Sequence, residues 1–236
     1  MTHPHLSLRI ERSSWGFSFA GVSHNNTRRG LNMNKDVPLT RIFSRSVLAG
    51  FLIGVADYIY INSQDRIVAA FLFPLALICI IKSGAYLYTG KIGSVKKSPE
   101  SIADMIMILI GNMIGLMILL FVPPTEAYEA FMISKMAVDP YNVVIKGFFC
   151  GVLMYLAVSY TDGGKNFLVT ILCVAAFLIG GCEHSIADLG YIYLSRARID
   201  TPEVFKFFLC VLAGNTIGSL TMRFLISLPE VEIEYT

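Results

Sequence analysis

Charged residues are scarce in this chain of 236 residues: Asp, Glu, Lys and Arg together make up 15% of it, whereas hydrophobic residues make up 55%. Soluble domains usually carry about 25% charged residues. The composition therefore favours a protein whose main solvent is lipid. The formal net charge is only +2, and no basic stripe interrupts the apolar pattern, so we expect no nucleic-acid partner.

The chain also lacks the short motifs that mark common enzymes and metal sites. It contains no HExxH zinc motif, no GxSxG nucleophile motif and no glycine-rich dinucleotide fingerprint. The five cysteines lie in apolar stretches, without CxxC spacing, and their number is odd. This pattern is typical of buried thiols rather than of disulfides or a zinc site. We therefore expect no enzyme activity, no cofactor and no metal.

Long apolar stretches are what the sequence does contain. A helix needs about 20 residues to cross a hydrocarbon core of ~30 Å, and several stretches approach or exceed this length. They lie at 44–62, 67–89, 103–123, 142–160, 166–194 and 204–228. The fold predicted is an all-α membrane protein with six transmembrane helices.

The domain organisation follows from these stretches. Residues 41–229 are predicted to form one transmembrane channel domain in the bilayer, followed by a short C-terminal tail at 230–236. Residues 1–40 are polar and irregular, and we expect a disordered leader there, with Met33 as an alternative start. We expect a multi-pass protein of the cell membrane, and a small excess of Lys and Arg on one side favours cytoplasmic positions for both termini.

Internal repetition indicates how the helices are arranged. "GNMIG" at 111–115 in the third stretch is matched by "GNTIG" at 214–218 in the sixth. "GAYLYTG" at 84–90 in the second is matched by "GCEHSIAD" at 181–188 in the fifth. Two repeats of three spans must have opposite orientations, and paired broken helices place a substrate path near the midplane. The alternative is that Gly and Asn recur only because they help membrane helices to pack.

The ionisable residues of the fifth stretch are the main candidates for function. A buried imidazole such as His184 can hydrogen-bond an anion or exchange a proton with it near neutral pH, or it can tie two helices together. Glu183 and Asp188 either mark a helix end or relay protons. Asn112 and Asn215 either line a path or bond across helices. Asp57 is interpreted as reaching the membrane interface near the end of the first span.

These motifs resemble the formate/nitrite transporter family over about 45–228. "CEHSIAD" resembles the fifth-span element of that family, whose histidine lies in the pore, and "GAYLYTG" resembles the second-span signature that ends in a pore-loop threonine. "GFFCGVLMYLA" at 147–157 resembles the fourth-span signature, with Gly151 in place of the usual asparagine. Asp188 likewise stands where the family has asparagine.

The resemblance implies roles for particular residues. The substrate path would include His184, Thr89, Lys135, Asn112 and Asn215, with the lysine at the pore entrance. The constrictions would be formed by Phe73, Leu77, Tyr88 and Phe177. Supporting positions would be Glu183, Ser185, Asp188 and Gly151. The architecture implied is aquaporin-like, in a homopentamer of independently conducting subunits.

The mechanism implied is passage of a small monovalent weak acid such as formate or nitrite. Protonation of the anion, directly by His184 or through bound water, would let a neutral acid pass the phenylalanines. A competing hypothesis is a passive anion channel for hydrosulfide, acetate or lactate. A third is a membrane scaffold that does not conduct.

Overall fold

The computed structural model describes residues 38–95, 98–161, 166–196 and 202–228. The predictions for the leader, for a start at Met33 and for the C-terminal tail therefore lie almost entirely outside the described residues. The first helix begins at Leu39, slightly before the predicted domain start at residue 41.

The described residues are helical, with short connections and without β-strands. The helices are α1 Leu39–Asn62, α2 Arg66–Leu72, α3 Pro74–Ser83, α4 Tyr88–Lys91, α5 Pro99–Leu116, α6 Glu126–Met136, α7 Pro140–Ser159, α8 Leu168–Ile179, α9 Ser185–Ser195 and α10 Pro202–Ile226. Two 3₁₀ turns, Ile92–Ser94 and Met117–Phe121, extend α4 and α5. The all-α prediction is confirmed.

Within the described ranges, five helical segments are long and apolar enough to cross a membrane: 39–62, 66–83, 101–121, 140–159 and 202–226. The remaining predicted stretch, 166–194, contains two shorter helices, α8 and α9, joined by residues 180–184. Likewise, the predicted second stretch continues past the end of α3 into the short helix α4.

Helix α6 lies in a segment that the sequence predicts as a polar connection. Its first turn is capped because the Thr125 side chain accepts a hydrogen bond from the backbone N–H of Tyr128. Glu126 and Glu129 lie in the same turn, where their negative charge complements the helix dipole. A threonine followed by two glutamates is a helix-start signal that hydropathy does not register.

Close pairs of helices form the frame of the molecule. Helix α1 packs along α5, and α7 packs along α10. A β-carbon on Gly50 would overlap with the backbone of Asn112, and one on Gly151 would overlap with the backbone of Asn215. Small residues therefore allow the backbones to approach closely, as is common where membrane helices meet.

The outer surface of the bundle is apolar. Large hydrophobic side chains are exposed on several helices, including Ile67, Leu75, Phe121 and Phe224. A monomeric soluble protein rarely exposes so many in continuous patches. This surface fits a bundle surrounded by lipid.

Candidate functional site

His184 lies at the centre of the bundle, at the point where α9 begins. Gly181 in the preceding turn has φ +62°, a left-handed conformation that suits glycine. His184 caps α9 because its Nδ1 atom accepts a hydrogen bond of 3.1 Å from the backbone N–H of Ala187. Its side chain is buried.

This cap determines which ring nitrogen carries the proton. A backbone N–H can only donate, so Nδ1 of His184 must be an acceptor and carry no hydrogen. The proton of the neutral ring is therefore on Nε2, which lies 2.8 Å from the Thr89 Oγ1 atom. Nε2–H donates to this oxygen, and the Thr89 hydroxyl keeps its own proton for another acceptor.

Aromatic rings enclose the His184–Thr89 pair on one side. The Phe177 ring is stacked on the His184 ring, with centroids 5.7 Å apart and an angle of 16° between the planes. Phe73 meets Phe177 edge to face, with centroids 6.2 Å apart. Leu77 is buried in the same apolar core. The structure thus places Phe177 against the histidine and Phe73 against Phe177, and it buries Leu77 in the core of the bundle.

A cavity of about 230 Å³ leads to this group of residues. His184 and Phe177 line it, and the cationic side chains of Lys135 and Lys146 lie on its walls. Lys135 comes from α6, the helix that hydropathy did not predict. The cavity therefore joins the predicted entrance residue to the predicted central histidine.

Lys135 is held by two carboxylates. It forms ion pairs with Glu183 and with Asp188, the latter at 3.0 Å. Burial by itself would lower the pKa of Lys135, but the charges of Asp188 and Glu183 outweigh it and raise this pKa above its ordinary value. Lys135 is thus protonated, and the two carboxylates balance its positive charge. Lys146 is more exposed, 39% against 15%, and lies 3.8 Å from Glu183.

Asn112 and Asn215 make the same set of hydrogen bonds at two places in the bundle. Asn112 Nδ2 donates to the carbonyls of Ser46 and Tyr86, and its Oδ1 accepts from the Tyr88 N–H. Asn215 Nδ2 donates to the carbonyls of Gly147 and Glu183, and its Oδ1 accepts from the Ser185 N–H. Both side chains therefore bond across helices, which is one of the two roles that the sequence left open.

The other predicted residues lie in the layer around this core. The Tyr88 hydroxyl lies 3.0 Å from Thr216 Oγ1 on α10, a contact that no sequence motif indicates. The Ser185 hydroxyl is buried without a hydrogen-bond partner among the described residues. Gly151 faces α10, and its carbonyl accepts a hydrogen bond of 2.9 Å from Ser219 Oγ.

Enlarging residue 151 is expected to separate α7 from α10. Gly151→Ala should lower the free energy of unfolding by about 1–3 kcal/mol, the usual effect of overpacking, and Gly151→Asn should lower it further. The measurement is the thermal unfolding midpoint of purified protein in detergent. Equal midpoints for glycine, alanine and asparagine would contradict the close contact.

Asp57 requires a correction. The sequence interpretation placed it at the membrane interface, but its side chain is fully buried, with an exposed fraction of 0%. Neither carboxyl oxygen has a hydrogen-bond partner among the described residues. The position of a residue along a helix indicates its depth in the membrane but not the direction of its side chain. The Asp57 side chain points towards α9 and not along α1 towards the interface.

Comparison with known proteins assigns the chain to a family. The sequence model described as formate/nitrite transporter matches residues 23–228. No curated protein sequence matches at a significant level.

Two solved structures share the fold. A protein described as an FNT family ion channel has a TM-score of 0.71 and 22% identity, over 87% of this chain and 96% of that one. A pentameric formate channel with formate bound has a TM-score of 0.64 and 20% identity, over 80% and 94%. Together with the sequence match over most of its length, this fold shows that the chain belongs to the formate/nitrite transporter family, whose members are channels and transporters rather than enzymes.

Proposed function

We propose that this protein conducts a small monovalent weak acid, such as formate or nitrite, across the cell membrane. The observation that carries the proposal is the contact of 2.8 Å between Thr89 and His184, since His184 lines the cavity that Lys135 also lines. It places a hydroxyl donor and an imidazole beside an apolar core. Such a pair can hydrogen-bond an anion.

The proposal includes two inverted three-helix repeats. The matching hydrogen bonds of Asn112 and Asn215 support it, as do the positive φ values of Gly84 and Gly181, +65° and +62°, which precede the two anchored segments. The α1–α5 and α7–α10 pairs fill corresponding places in such an arrangement. A path between repeats of this kind runs through the breaks of the second and fifth spans, where Thr89 and His184 lie.

The substrate crosses the phenylalanines as a neutral acid. The idealised cost of moving a bare anion from water into an apolar medium is ~20 kcal/mol, and several kcal/mol persist after relaxation. A neutral acid avoids most of this cost. Phe73 and Phe177, both buried, provide such an apolar stretch beside His184.

The cap on α9 favours bound water over His184 as the proton source. A doubly protonated ring would direct its Nδ1–H at the Ala187 N–H, which also donates, and two donors repel each other. In this geometry His184 acts as a neutral hydrogen-bond donor. The proton therefore reaches the anion through water in the Lys135 cavity rather than directly from the imidazole.

Attraction of the anion depends on more than Lys135. Because two carboxylates neutralise Lys135, the more exposed Lys146 supplies the attraction at the mouth of the cavity. The exposed apolar surface of the bundle also supports a homopentamer in the bilayer, in keeping with the pentameric formate channel that shares the fold.

Uptake into liposomes containing the purified protein tests the proposal. Formate and nitrite should enter saturably, and an inward proton gradient should increase the rate, because a neutral acid carries its proton with it. Acetate, lactate and hydrosulfide are measured in parallel. An uptake rate that does not depend on the proton gradient would instead indicate a passive anion channel. Uptake no faster than that of empty liposomes would indicate a scaffold.

A further inference from the structure

Asp57 and Asp188 are both buried, their charges interact, and each has at least one carboxyl oxygen without a partner among the described residues. Asp188 pairs with Lys135 through Oδ1, whereas its Oδ2 and both oxygens of Asp57 have no hydrogen-bond partner in the described part of the chain. The exposed fractions of the Asp188 and Asp57 side chains are 1% and 0%. Burying an ionised carboxylate without a partner costs several kcal/mol, so such a group tends to hold a proton instead.

The surroundings leave space for Asp57 in particular. A β-carbon on Gly190 of α9 would overlap with the Asp57 carboxyl group, so the absence of a side chain there creates the pocket for it. The hydroxyl of Tyr191 interacts with Asp57, yet it too is buried without a hydrogen bond of normal geometry. The two carboxyls and this hydroxyl can therefore all take up a bond to a proton or a water molecule.

The charges around Asp57 and Asp188 also favour a bound proton. Two cations, Lys135 and Lys146, interact with members of a group of three carboxyls, those of Asp57, Glu183 and Asp188. If all three were ionised, the cavity would carry excess negative charge and repel an anion. Among the described residues, the other titratable groups that interact with this cluster or with Tyr191 include Tyr60 on α1, Arg66 on α2, Cys150 on α7 and Cys182 just before α9. Arg66 lies at the exposed rim, where its guanidinium donates to the Tyr60 carbonyl at 2.7 Å.

We propose that Asp57 and Asp188 form a proton-binding site behind the Lys135 cavity, and that this site favours entry of an anion while it holds a proton. The proton leaves a carboxyl oxygen for water in the cavity and returns by the same route, and no other bond changes. As pH rises and the proton leaves, the cavity gains negative charge and anion entry slows. The effect on entry rests on the proposed function, whereas the presence of the proton does not.

Infrared spectroscopy of the purified full-length protein tests the site without any substrate. At neutral pH the wild type should show the carbonyl band of a protonated, buried carboxylic acid. Asp57→Asn should remove this band, and Asp188→Asn should shift it because the neighbouring charge changes. Glu129→Gln, which alters an exposed carboxyl on α6, should leave it unchanged. Tyr191→Phe should also shift the band, and it tests the site even if Asp57→Asn does not fold.

Uptake of formate by the same variants tests the effect on entry. The measured quantity is the ratio of the formate uptake rate at mildly basic pH to the rate at acidic pH. This ratio should be about tenfold higher for Asp57→Asn than for the wild type, because the variant cannot add a negative charge near the cavity as the pH rises. A band that persists in Asp57→Asn, or a pH profile identical to that of the wild type, would overturn the proposal. If the wild type conducts none of the anions, the proposed function fails, and the infrared bands still decide whether the carboxyl pair holds a proton.

Discussion

Replacing His184 by asparagine is expected to lower formate uptake by roughly tenfold to a hundredfold while the protein remains folded. Asparagine is a good helix cap, so its side-chain oxygen can replace Nδ1 as the acceptor for the Ala187 N–H. It is too short to reproduce the Nε2 contact with Thr89. Without that contact the Thr89 hydroxyl is no longer oriented, and the expected loss is that of one hydrogen bond from this hydroxyl to the anion, about 1.5–3 kcal/mol.

A second substitution separates the two roles of the histidine. His184→Ala removes both the cap and the contact with Thr89, so it should also lower the free energy of unfolding by about 1 kcal/mol. The measurements are initial rates of uptake in liposomes and thermal midpoints in detergent. If His184→Asn transports formate as fast as the wild type, the histidine serves only as a cap.

Replacing Asn215 by leucine is expected to destabilise the protein strongly, more than His184→Ala or Gly151→Ala. The substitution leaves the carbonyl of Glu183 and the N–H of Ser185 buried without their partner, and the Gly147 carbonyl inside α7 loses its second hydrogen bond. Each unsatisfied group costs about 1–3 kcal/mol, so the total should reach about 3 kcal/mol or more. That is a large part of the usual stability of a folded protein, about 5–15 kcal/mol.

Related variants identify the cause of that loss. Asn215→Asp keeps the acceptor for the Ser185 N–H and loses only the two donated bonds. Its thermal midpoint should therefore lie between those of the wild type and of Asn215→Leu. Asn112→Leu should lower the thermal midpoint as much as Asn215→Leu, because Asn112 makes three equivalent hydrogen bonds. Asn142→Leu, an exposed position on α7, is the control and should change little. Thermal midpoints of the wild type and the four variants in detergent test the series, and a tolerated Asn215→Leu would contradict it.

Transport should fall together with stability in both leucine variants. The asparagines hold the segments that carry Thr89 and His184, since they bind the backbone of Tyr88 in one case and of Glu183 and Ser185 in the other. A shift of either segment separates Thr89 Oγ1 from His184 Nε2. We therefore expect the two asparagines, which the resemblance places in the path, to affect transport by positioning other residues.

The local pattern of the sequence was sufficient to predict helices and their environment. Apolar stretches of the required length indicated an all-α membrane protein because hydropathy is summed over consecutive residues. The motif around "CEHSIAD" identified the family, and the comparison over residues 23–228 confirmed it. Helix α6 was missed because its start is signalled by capping at Thr125 and not by hydropathy.

Only the tertiary structure decided what the charged and polar groups do. The sequence placed Lys135 at an entrance, but its two ion pairs join residues far apart in the chain, and no spacing rule predicts such partners. Asp57 is buried because α9 offers a glycine opposite to it. The periodicity of the sequence indicates which residues share a face of one helix. The helices that pack against that face determine which partners a charged side chain has and whether water reaches it.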